Sequence, residues 1–307
     1  MRFVTFDVDS RAKVGLQEGD WVIDLARADP GIPTDMGSFV GAGPVALDRA
    51  AVVLERWTRG QLPAAVARPL AGARLRAPIL EPSKIVAVGL NYMDHCRETR
   101  MDPPDQPILF AKYPSSIIGP GDTVEWDPAL TTQVDYEAEL AIVIGCRARR
   151  VPGAKAFDVV FGYTCGNDVT ARDLQREDGQ WVRGKSLDTF CPLGPALVTK
   201  DEVQHPANLD ISCRVNGKTL QRSNTREMVF GIPTLIEFVT RAFTLLPGDV
   251  ILTGTPHGVG FTRQPPVFLK GGDIVEVEVE GIGVLQNPCR ERLPSGADES
   301  TPSSVDS

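Results

Sequence analysis

The sequence has no long apolar run, no basic stripe and few histidines, and each absence excludes a class of protein. No segment approaches the ~20 consecutive apolar residues that a membrane span needs, so no membrane partner is expected. The first residues, from Met1 to Asp7, lack the apolar region of a cleavable signal, which predicts a cytoplasmic protein. A net charge of -8 argues against a nucleic-acid partner.

Cysteine and histidine are sparse as well. The six cysteines are scattered without a Cys-x-x-Cys spacing, which predicts reduced thiols in packed positions. Only three histidines are present, and none belongs to a His-Glu-x-x-His motif, so a histidine-rich zinc site is not expected. Any bound metal must be held mainly by oxygen.

The chain divides into a small N-terminal unit, a large domain and a tail. With 307 residues and 42% hydrophobic content, it is long enough to bury a sizeable core. We place the small unit at residues 1–75 and the main domain at 76–292, and expect residues 293–307, rich in Ser, Pro, Asp and Gly, to be disordered. In the small unit the pattern predicts strands at 3–8, 12–17 and 21–25 and a helix at 45–58.

Turn signals in the main domain predict a strand-rich fold. Asn216-Gly217 lies between the apolar runs 211–215 and 218–221, which predicts a hairpin with a two-residue turn. Gly-Asp turns precede the segments 123–126 and 250–252, at irregular spacing, so the domain is not a solenoid.

An acidic stretch in the middle of the chain lies within a segment that otherwise has the pattern of a buried strand. Along a strand, Asp135, Glu137 and Glu139 would share one face with Ala141 and Val143. The opposite face is apolar throughout and consists of Tyr136, Ala138, Leu140, Ile142 and Ile144. A solvent face would stay polar to its end, so we infer that the acidic end points into a pocket, where buried carboxylates need a partner such as a divalent cation.

A second Glu-x-Glu segment supplies a control. Glu276, Glu278 and Glu280 alternate strictly with valines, with no change of character along the acidic face. This pattern is typical of a solvated sheet face. By pattern alone, therefore, metal ligation by Glu137 and Glu139 and a solvated face both stay open.

Residues 91–100 predict a short helix that carries a possible general base. Asn91 is predicted as its N-cap, and Pro103 limits its length. His95 and Glu98 are three residues apart, hence on one face and within reach of each other. An imidazole held by a carboxylate is a common general base. The alternative is an exposed His beside an exposed Glu.

Other chemical candidates follow the acidic strand. Asp168 ends the strand 159–167 and is either a third oxygen ligand or a turn cap, and Lys185 either balances the acids or is a surface lysine. The polar stretch 175–185, punctuated by glycine, is a hypothetical mobile cover of the site. The glycine-rich turn 254–260 offers backbone N–H groups that can hold a carboxylate.

Five ordered motifs closely resemble the fumarylacetoacetate hydrolase family. They lie at residues 89–98 (Gly-Leu-Asn-Tyr-Met-Asp-His-Cys-Arg-Glu), 135–141 (Asp-Tyr-Glu-Ala-Glu-Leu-Ala), 167–173 (Asn-Asp-Val-Thr-Ala-Arg-Asp), 184–186 (Gly-Lys-Ser) and 252–256 (Leu-Thr-Gly-Thr-Pro). The resemblance runs from about Lys84 to Gln286. Residues 185–203 look most like the subgroup of fumarylacetoacetate hydrolase domain-containing proteins.

The resemblance implies an α+β fold, a mixed β-sandwich roll of the family's C-terminal type with a small N-terminal α+β domain, and a homodimer. It implies one Mg²⁺ or Mn²⁺ ion held by Glu137, Glu139 and Asp168. It also assigns a catalytic role to His95, Glu98 and Lys185. The implied substrate contacts are Arg172, Gln175, Thr255 and Lys112.

The function implied is that of a metal-dependent enzyme acting on small 2-oxo acids through an enolate. Three carboxylates around a 2+ ion leave a formal charge near −1, which Lys185 and Arg172 would offset for an incoming anion. Our first expectation is hydrolysis of a carbon–carbon bond in an acylpyruvate-type diketo acid. Decarboxylation or keto–enol tautomerisation of oxaloacetate uses the same enolate and is the alternative, and a non-catalytic ligand-binding protein is a further one.

Overall fold

The structure is a computed structural model, which describes residues 1–292 and shows a mixed α+β architecture dominated by strands. The strands of the first half are β1 Arg2–Val8, β2 Arg11–Glu18, β3 Trp21–Asp24, β4 Ala67–Pro69, β5 Leu75–Arg76, β6 Ile85–Gly89, β7 Ile108–Lys112, β8 Ile117–Ile118, β9 Val124–Trp126, β10 Val134–Asp135 and β11 Ala138–Ile144. Those of the second half are β12 Val160–Asn167, β13 Thr170–Ala171, β14 Cys191–Thr199, β15 Asp210–Val215, β16 Lys218–Asn224, β17 Val250–Leu252, β18 Ile274–Val279 and β19 Gly283–Glu291. The predicted disorder of residues 293–307 lies outside the described residues.

The helices are short and lie between the strands. They are α1 Leu25–Ala28, α2 Met36–Ala42, α3 Pro44–Thr58, α4 Met93–Thr99, α5 Arg172–Asp178, α6 Val182–Lys185 and α7 Ile232–Ala242. Short 3-10 helices span Ala64–Val66, Leu70–Gly72, Pro114–Ser116, Gly153–Val159, Thr225–Glu227 and Gly260–Thr262. Within residues 1–292 no helix is by itself both long and apolar enough to cross a membrane, although α2 and α3, bent by 108° at their junction, meet the length and composition criteria as a pair.

Most strands belong to one large mixed sheet. Its order is β4-β3-β2-β1-β14-β12-β11-β17-β6-β7, with β5 on β1 and β8 on β14. A second sheet of five strands, β16-β15-β18-β19-β9, packs against the large one, and residues of both sheets share one apolar cluster. A short pair is formed by β10 and β13. Most neighbours are antiparallel, and the parallel pairs are β6 with β17, β8 with β14 and β9 with β19. This is the mixed α+β architecture that the sequence predicted.

The N-terminal strands extend the large sheet. The predicted strands β1 to β3 and helix α3 are confirmed. β1 pairs with β14, with Arg2 opposite Val198, and the N-terminal residues share one apolar cluster with the main sheet, in which Phe3 and Phe39 join Ala141 and Val143. The boundary at residue 75 stays a prediction, and the two units meet through a continuous sheet and a common core.

Both faces of β11 are buried, each against a different core. Tyr136, Ala138, Leu140, Ile142 and Ile144 belong to the apolar cluster of the main domain. Their neighbours Ala141 and Val143 belong to the cluster shared with the N-terminal unit. The predicted alternation is therefore confirmed within β11, from Ala138 to Ile144.

The predicted hairpin and most of the predicted thiol environments are also confirmed. β15 and β16 pair antiparallel around Asn216-Gly217, which have φ values of 52° and 76°. Positive φ at both positions is the requirement of this two-residue turn.

All six cysteines are free, and five are buried. Cys146 is exposed, so for this residue the prediction of a packed position was wrong.

Candidate active site

The three acids predicted as metal ligands lie together at one end of β11 and are called the acid cluster below. Glu137 precedes β11, Glu139 is its second residue, and Asp168 follows β12 directly. Because β11 and β12 are antiparallel with Ala138 opposite Asn167, Glu137 and Asp168 become neighbours. One oxygen of each carboxylate lies within 4.8 Å of the others, and the residues are only 5%, 1% and 0% exposed.

Asp135 shares the predicted acidic face but lies apart from the acid cluster. β10 ends at Asp135 and β11 begins at Ala138, so the regular alternation is interrupted between them. The buried carboxylate of Asp135 accepts from Arg172 Nε at 2.8 Å and from the N–H groups of Gly260 and Phe261 at 2.7 and 3.1 Å. Its part is to anchor Arg172.

Two buried lysines contact the acid cluster. Lys185 Nζ lies 2.8 Å from Glu137 Oε2 and 2.6 Å from Asp168 Oδ2. Lys112 Nζ lies 2.6 Å from Asp168 Oδ1 and also donates to the carbonyl oxygens of Val169 and Lys185. Burial would lower the pKa of Lys185, but Asp168 and Glu137 outweigh it and raise that pKa. Lys185 therefore stays an ammonium at neutral pH.

Arg172 is the third buried cation. Its Nη2 lies 2.6 Å from Glu137 Oε1, its Nε contacts Asp135, and its guanidinium lies 4.5 Å from the ring centre of Phe261. Burial would raise the pKa of Glu137, but Lys185 and Arg172 lower it to about 2. The carboxylate of Glu137 is consequently ionised.

Glu139 has the opposite electrostatic environment. Its pKa is raised, first by burial and then by the charges of Asp168 and Glu137. Its carboxylate accepts a hydrogen bond from Gly254 N at 2.8 Å. A divalent cation among the three acids would remove this repulsion, and carboxylate oxygens are ligands that suit both Mg²⁺ and Mn²⁺. The acid cluster thus fits a divalent cation.

The predicted His–Glu pair is present on α4. His95 Nδ1 lies 3.3 Å from Glu98 Oε2, and Glu98 accepts from Gly258 N at 2.9 and 3.0 Å. Burial would raise the pKa of Glu98, but hydrogen bonds from His95, Thr262 and Gly258 lower it. His95 is 6% exposed, so the alternative of an exposed pair was wrong for the imidazole. With Nδ1 directed at Glu98, Nε2 is the nitrogen that can exchange a proton with a substrate.

Asn91 does not cap α4 as predicted. The N-cap position is occupied by Tyr92, without a side-chain cap. Asn91 instead donates to the carbonyl oxygens of Phe230 and Thr253 at 3.1 and 2.7 Å and accepts from Phe230 N at 2.8 Å. The side chain of Asn91 therefore bonds to backbone groups far away in sequence instead of capping α4. These bonds hold the start of α4 beside the end of β17.

The glycine-rich turn holds carboxylates, as predicted, but those of the protein itself. The bonds run from Gly254 N to Glu139 Oε2 at 2.8 Å, from Gly258 N to Glu98 Oε1 at 2.9 Å and from Gly260 N to Asp135 Oδ1 at 2.7 Å. The φ values of Gly254 and Gly258 are +97° and +98°, a region that side chains rarely adopt. One turn thereby positions the acid cluster, the His–Glu pair and the anchor of Arg172.

A cavity of about 360 Å³ joins these groups. Its wall includes six of the predicted site residues, which are His95, Glu137, Arg172, Gln175, Lys185 and Thr255. The remaining wall is largely apolar and includes Val88, Leu90, Phe110, Trp181 and Phe261. A volume and lining of this kind are typical of sites for small molecules.

Lys112 is not among the described residues that line the cavity. It is 1% exposed, and its ammonium is engaged by Asp168 and by main-chain carbonyl groups. This position does not support the predicted substrate contact.

Thr255, another predicted substrate contact, does line the cavity. Its hydroxyl accepts a hydrogen bond from Gln221 Nε2 at 2.8 Å.

Sequence reasoning missed the aromatic part of the wall and Arg176. The rings of Trp181 and Phe110 meet edge to face with centroids 5.3 Å apart, and Trp181 packs on Gly89, where a Cβ atom would overlap the indole. A lone tryptophan in the polar stretch 175–185 was the available signal. That stretch forms part of the cavity wall, and its mobility stays a prediction.

The part of the chain that carries the site matches a known protein family. A model of the fumarylacetoacetate (FAA) hydrolase C-terminal family matches residues 84–290. The matched range contains the acid cluster, the His–Glu pair and both lysines.

Named relatives and solved structures agree with this match over nearly the full chain. A protein of Rattus norvegicus named oxaloacetate tautomerase Fahd2a, mitochondrial, is 46% identical over 292 residues, which cover 94% of this chain and 91% of the rat protein. Fumarylacetoacetate hydrolase from Exiguobacterium antarcticum has a TM-score of 0.81 at 40% identity, covering 95% of this chain and 100% of that chain. Maleylpyruvate hydrolase from Sphingobium sp. SYK-6, in complex with manganese(II) and pyruvate, has a TM-score of 0.77 at 32% identity, covering 95% and 99%.

Proposed function

Because the chain belongs to the fumarylacetoacetate hydrolase family, in the subgroup that its motifs predicted, we propose that it is an oxaloacetate keto–enol tautomerase that uses a divalent cation. The observation that carries the proposal is that His95, Glu137 and Lys185 line one cavity of about 360 Å³. A proton-transferring group, one carboxylate of the acid cluster and an ammonium group therefore line the same cavity.

The relatives support an enzyme, and they favour tautomerisation over our first expectation. The rat relative, 46% identical, is named an oxaloacetate tautomerase. Solved structures of lower identity are named maleylpyruvate hydrolase, at 33%, and 5-carboxymethyl-2-hydroxymuconate delta-isomerase, at 38%. Hydrolysis of a carbon–carbon bond, which the sequence analysis placed first, is therefore less well supported than its alternative. A non-catalytic binding protein has no support from these names.

The His–Glu pair is suited to move a proton at C3 of a 2-oxo acid. His95 Nε2 would accept the C3 proton of the keto form while Glu98 Oε2, 3.3 Å from Nδ1, stabilises the imidazolium. The electrons of the broken C–H bond form the C2–C3 double bond, and negative charge develops on the C2 oxygen. Return of the proton from Nε2 to that oxygen gives the enol. The reverse sequence gives the ketone.

The buried cations of the site stabilise the charge that develops. The raised pKa of Lys185 keeps its ammonium charged beside the acid cluster, where it can face the oxygen of the enolate. Arg172 is held rigidly by Asp135 and Glu137 and needs no reorganisation during the reaction. When bound to Glu137, Glu139 and Asp168, a divalent cation supplies Lewis acidity that polarises the keto group.

Hydrolysis of an acylpyruvate stays a second candidate because of the cavity wall. Val88, Leu90, Phe110 and Trp181 present apolar surface to the bound molecule. Such a wall accommodates an apolar acyl group that oxaloacetate lacks. The same base would then activate water for attack on the distal carbonyl group.

Ultraviolet absorbance of the enol separates these reactions. The purified protein with Mg²⁺ or Mn²⁺ is expected to accelerate the approach of enol-oxaloacetate to keto–enol equilibrium, without forming pyruvate. Pyruvate formation from oxaloacetate would indicate a decarboxylase, and loss of the enol absorbance of acetylpyruvate would indicate the hydrolase. Inertness toward all these compounds, with the metal bound, would reject the proposal.

Assembly and compartment stay predictions. The homodimer was implied by the family resemblance, and sedimentation velocity of the purified protein tests it. The rat relative is named mitochondrial, whereas the sequence led us to expect a cytoplasmic protein.

A further inference from the structure

Arg176 is a cation in the cavity wall whose charge has no acidic partner in the described part of the chain. Its side chain donates to the amide oxygen of Gln133, a neutral group. Within residues 1–292 it forms no ion pair within 4 Å, in contrast to Arg172, Lys185 and Arg183. Among these groups, Arg176 is therefore the one that keeps its charge available to a ligand.

Helix α5 places Arg176 one turn beyond Arg172 along the cavity. The two residues are four positions apart, hence on the same face and about 6 Å apart along the helix axis. Arg172 is 5% exposed and turned toward the acids, whereas Arg176 is exposed, and both line the cavity. A small molecule that reaches the acid cluster at one end can meet Arg176 at the other.

The charge of the site leaves a place for a second anionic group. The buried carboxylates at the site are Asp135, Glu137, Glu139 and Asp168, and the buried cations are Lys112, Arg172 and Lys185. With all four carboxylates ionised, these groups sum to one net negative charge, and a divalent cation would convert the sum to one net positive charge. That charge matches one carboxylate of a ligand. Neutralising a second carboxylate requires one more cation, which Arg176 supplies.

We propose that Arg176 is a specificity-determining residue that binds the distal carboxylate of the substrate, so that the site selects 2-oxo acids with a second carboxylate group. The proposal rests on the proposed function and names its substrate class. An arginine fork can donate two parallel hydrogen bonds to a carboxylate. The bond to Gln133 is exchanged for a charge-assisted one, and because Arg176 is exposed and Gln133 is half-buried the exchange needs no rearrangement of the core.

Binding of two 2-oxo acids of equal length tests this assignment directly. 2-Oxoglutarate and 2-oxopentanoate differ in a terminal carboxylate against a methyl group, and calorimetry on the Mg²⁺-loaded protein measures both. The wild type is expected to prefer the diacid on the order of tenfold, the scale of one charge-assisted hydrogen bond. Arg176→Met should abolish this preference by weakening diacid binding alone. Met retains the helix propensity of Arg, so α5 is preserved.

Arg183→Met is the matched control. Arg183 is a nearby exposed arginine, its Nε lies 2.7 Å from Asp178 Oδ2, and it is not among the described residues that line the cavity. It should keep the wild-type preference. Absence of a preference in the wild type, or equal loss of both ligands in Arg176→Met, would overturn the assignment.

Turnover separates failure of this inference from failure of the proposed function. Oxaloacetate and its 4-ethyl ester share a carbon skeleton, but the ester masks the distal charge. In Arg176→Met the ratio of kcat/KM for the acid to that for the ester should fall about tenfold. An active wild type whose ratio survives the substitution refutes the role of Arg176 and keeps the tautomerase. A wild type that is inert toward oxaloacetate but shows the Arg176-dependent binding preference refutes the tautomerase and keeps the role of Arg176.

Discussion

Two segments of the molecule carry the same Glu-x-Glu alternation in opposite surroundings. Glu137 and Glu139 are 5% and 1% exposed and belong to the acid cluster. On β18, Glu276 and Glu278 have side chains that are 23% and 45% exposed and lie 3.1 and 2.5 Å from Arg214, on the neighbouring strand β15. The solvated face predicted for β18 is confirmed.

The difference teaches that strand alternation identifies a face but not its environment. β11 lies inside the large sheet between β12 and β17, and apolar clusters cover both of its faces. β18 has one covered face, formed by Val275, Val277 and Val279. Water solvates the acids of β18 at little cost, whereas the acids of β11 need buried cations. Carboxylates are seldom fully buried, so the burial of Glu137 and Glu139 is the feature that indicates a functional site.

The largest expected contrast comes from the same substitution in both segments. Glu139→Gln removes one of the three proposed metal ligands without changing side-chain size, so we expect loss of Mg²⁺ affinity and a fall in the kcat of the proposed tautomerase reaction of about a thousandfold. Glu278→Gln should leave both within about twofold, since surface substitutions change little. Calorimetry with Mg²⁺ and enol absorbance measure the two effects. Similar losses in both variants would remove the functional distinction between the segments.

Removing the basic side chain that pairs with each Glu-x-Glu segment should lower the free energy of unfolding by unequal amounts. Lys185→Met leaves Glu137 and Asp168 as buried charges with one partner fewer, and we expect the free energy of unfolding of the metal-free protein to fall by about 3 kcal/mol. Arg214→Met should cost less than about 1 kcal/mol because its partners are partly solvated. Urea denaturation gives both values. Equal losses would mean that burial does not govern these pairs.

A third contrast separates binding by the acid cluster from turnover by the His–Glu pair. His95→Ala should keep Mg²⁺ affinity and lower kcat by about a hundredfold, the usual contribution of a general base. His257→Ala is the control, because His257 is 46% exposed and its Nε2 contacts the carbonyl oxygen of Arg222. It should retain wild-type turnover. Loss of metal binding in His95→Ala would show that the two sets of residues are not separable.

Local signals were sufficient for some of these features. Asn216-Gly217 defines its hairpin through the backbone angles that this dipeptide tolerates, so neighbouring residues decide the outcome. The meeting of Glu137 with Asp168, in contrast, depends on the antiparallel pairing of β11 with β12, and the family resemblance rather than a local pattern predicted it. The position of His95 beside Glu98 follows from helical spacing alone.

Other features depend on contacts between residues far apart in sequence. Asn91 was predicted to cap its helix but binds Phe230 and Thr253 instead. Asp135 was grouped by alternation with the acid cluster, but the strand is interrupted after it and Arg172 takes its carboxylate. No local pattern specifies such partners, since the free energy of a long-range hydrogen bond depends on which elements pack together.

The smallest expected contrast concerns salt. In a double-mutant cycle of Arg214→Met and Glu278→Gln, the coupling energy should be about 0.5 kcal/mol at 0.15 M NaCl and approach zero at 1 M, where the screening length falls from about 8 to about 3 Å. The corresponding cycle of Lys185→Met and Asp168→Asn should keep most of its coupling energy, because these side chains are 2% and 0% exposed and salt in bulk solvent screens buried pairs much less. Urea denaturation at both salt concentrations measures the cycles. A buried pair that weakens with salt as the exposed one does would indicate that water and ions enter the site, and the low-dielectric environment on which its charges depend would then be absent.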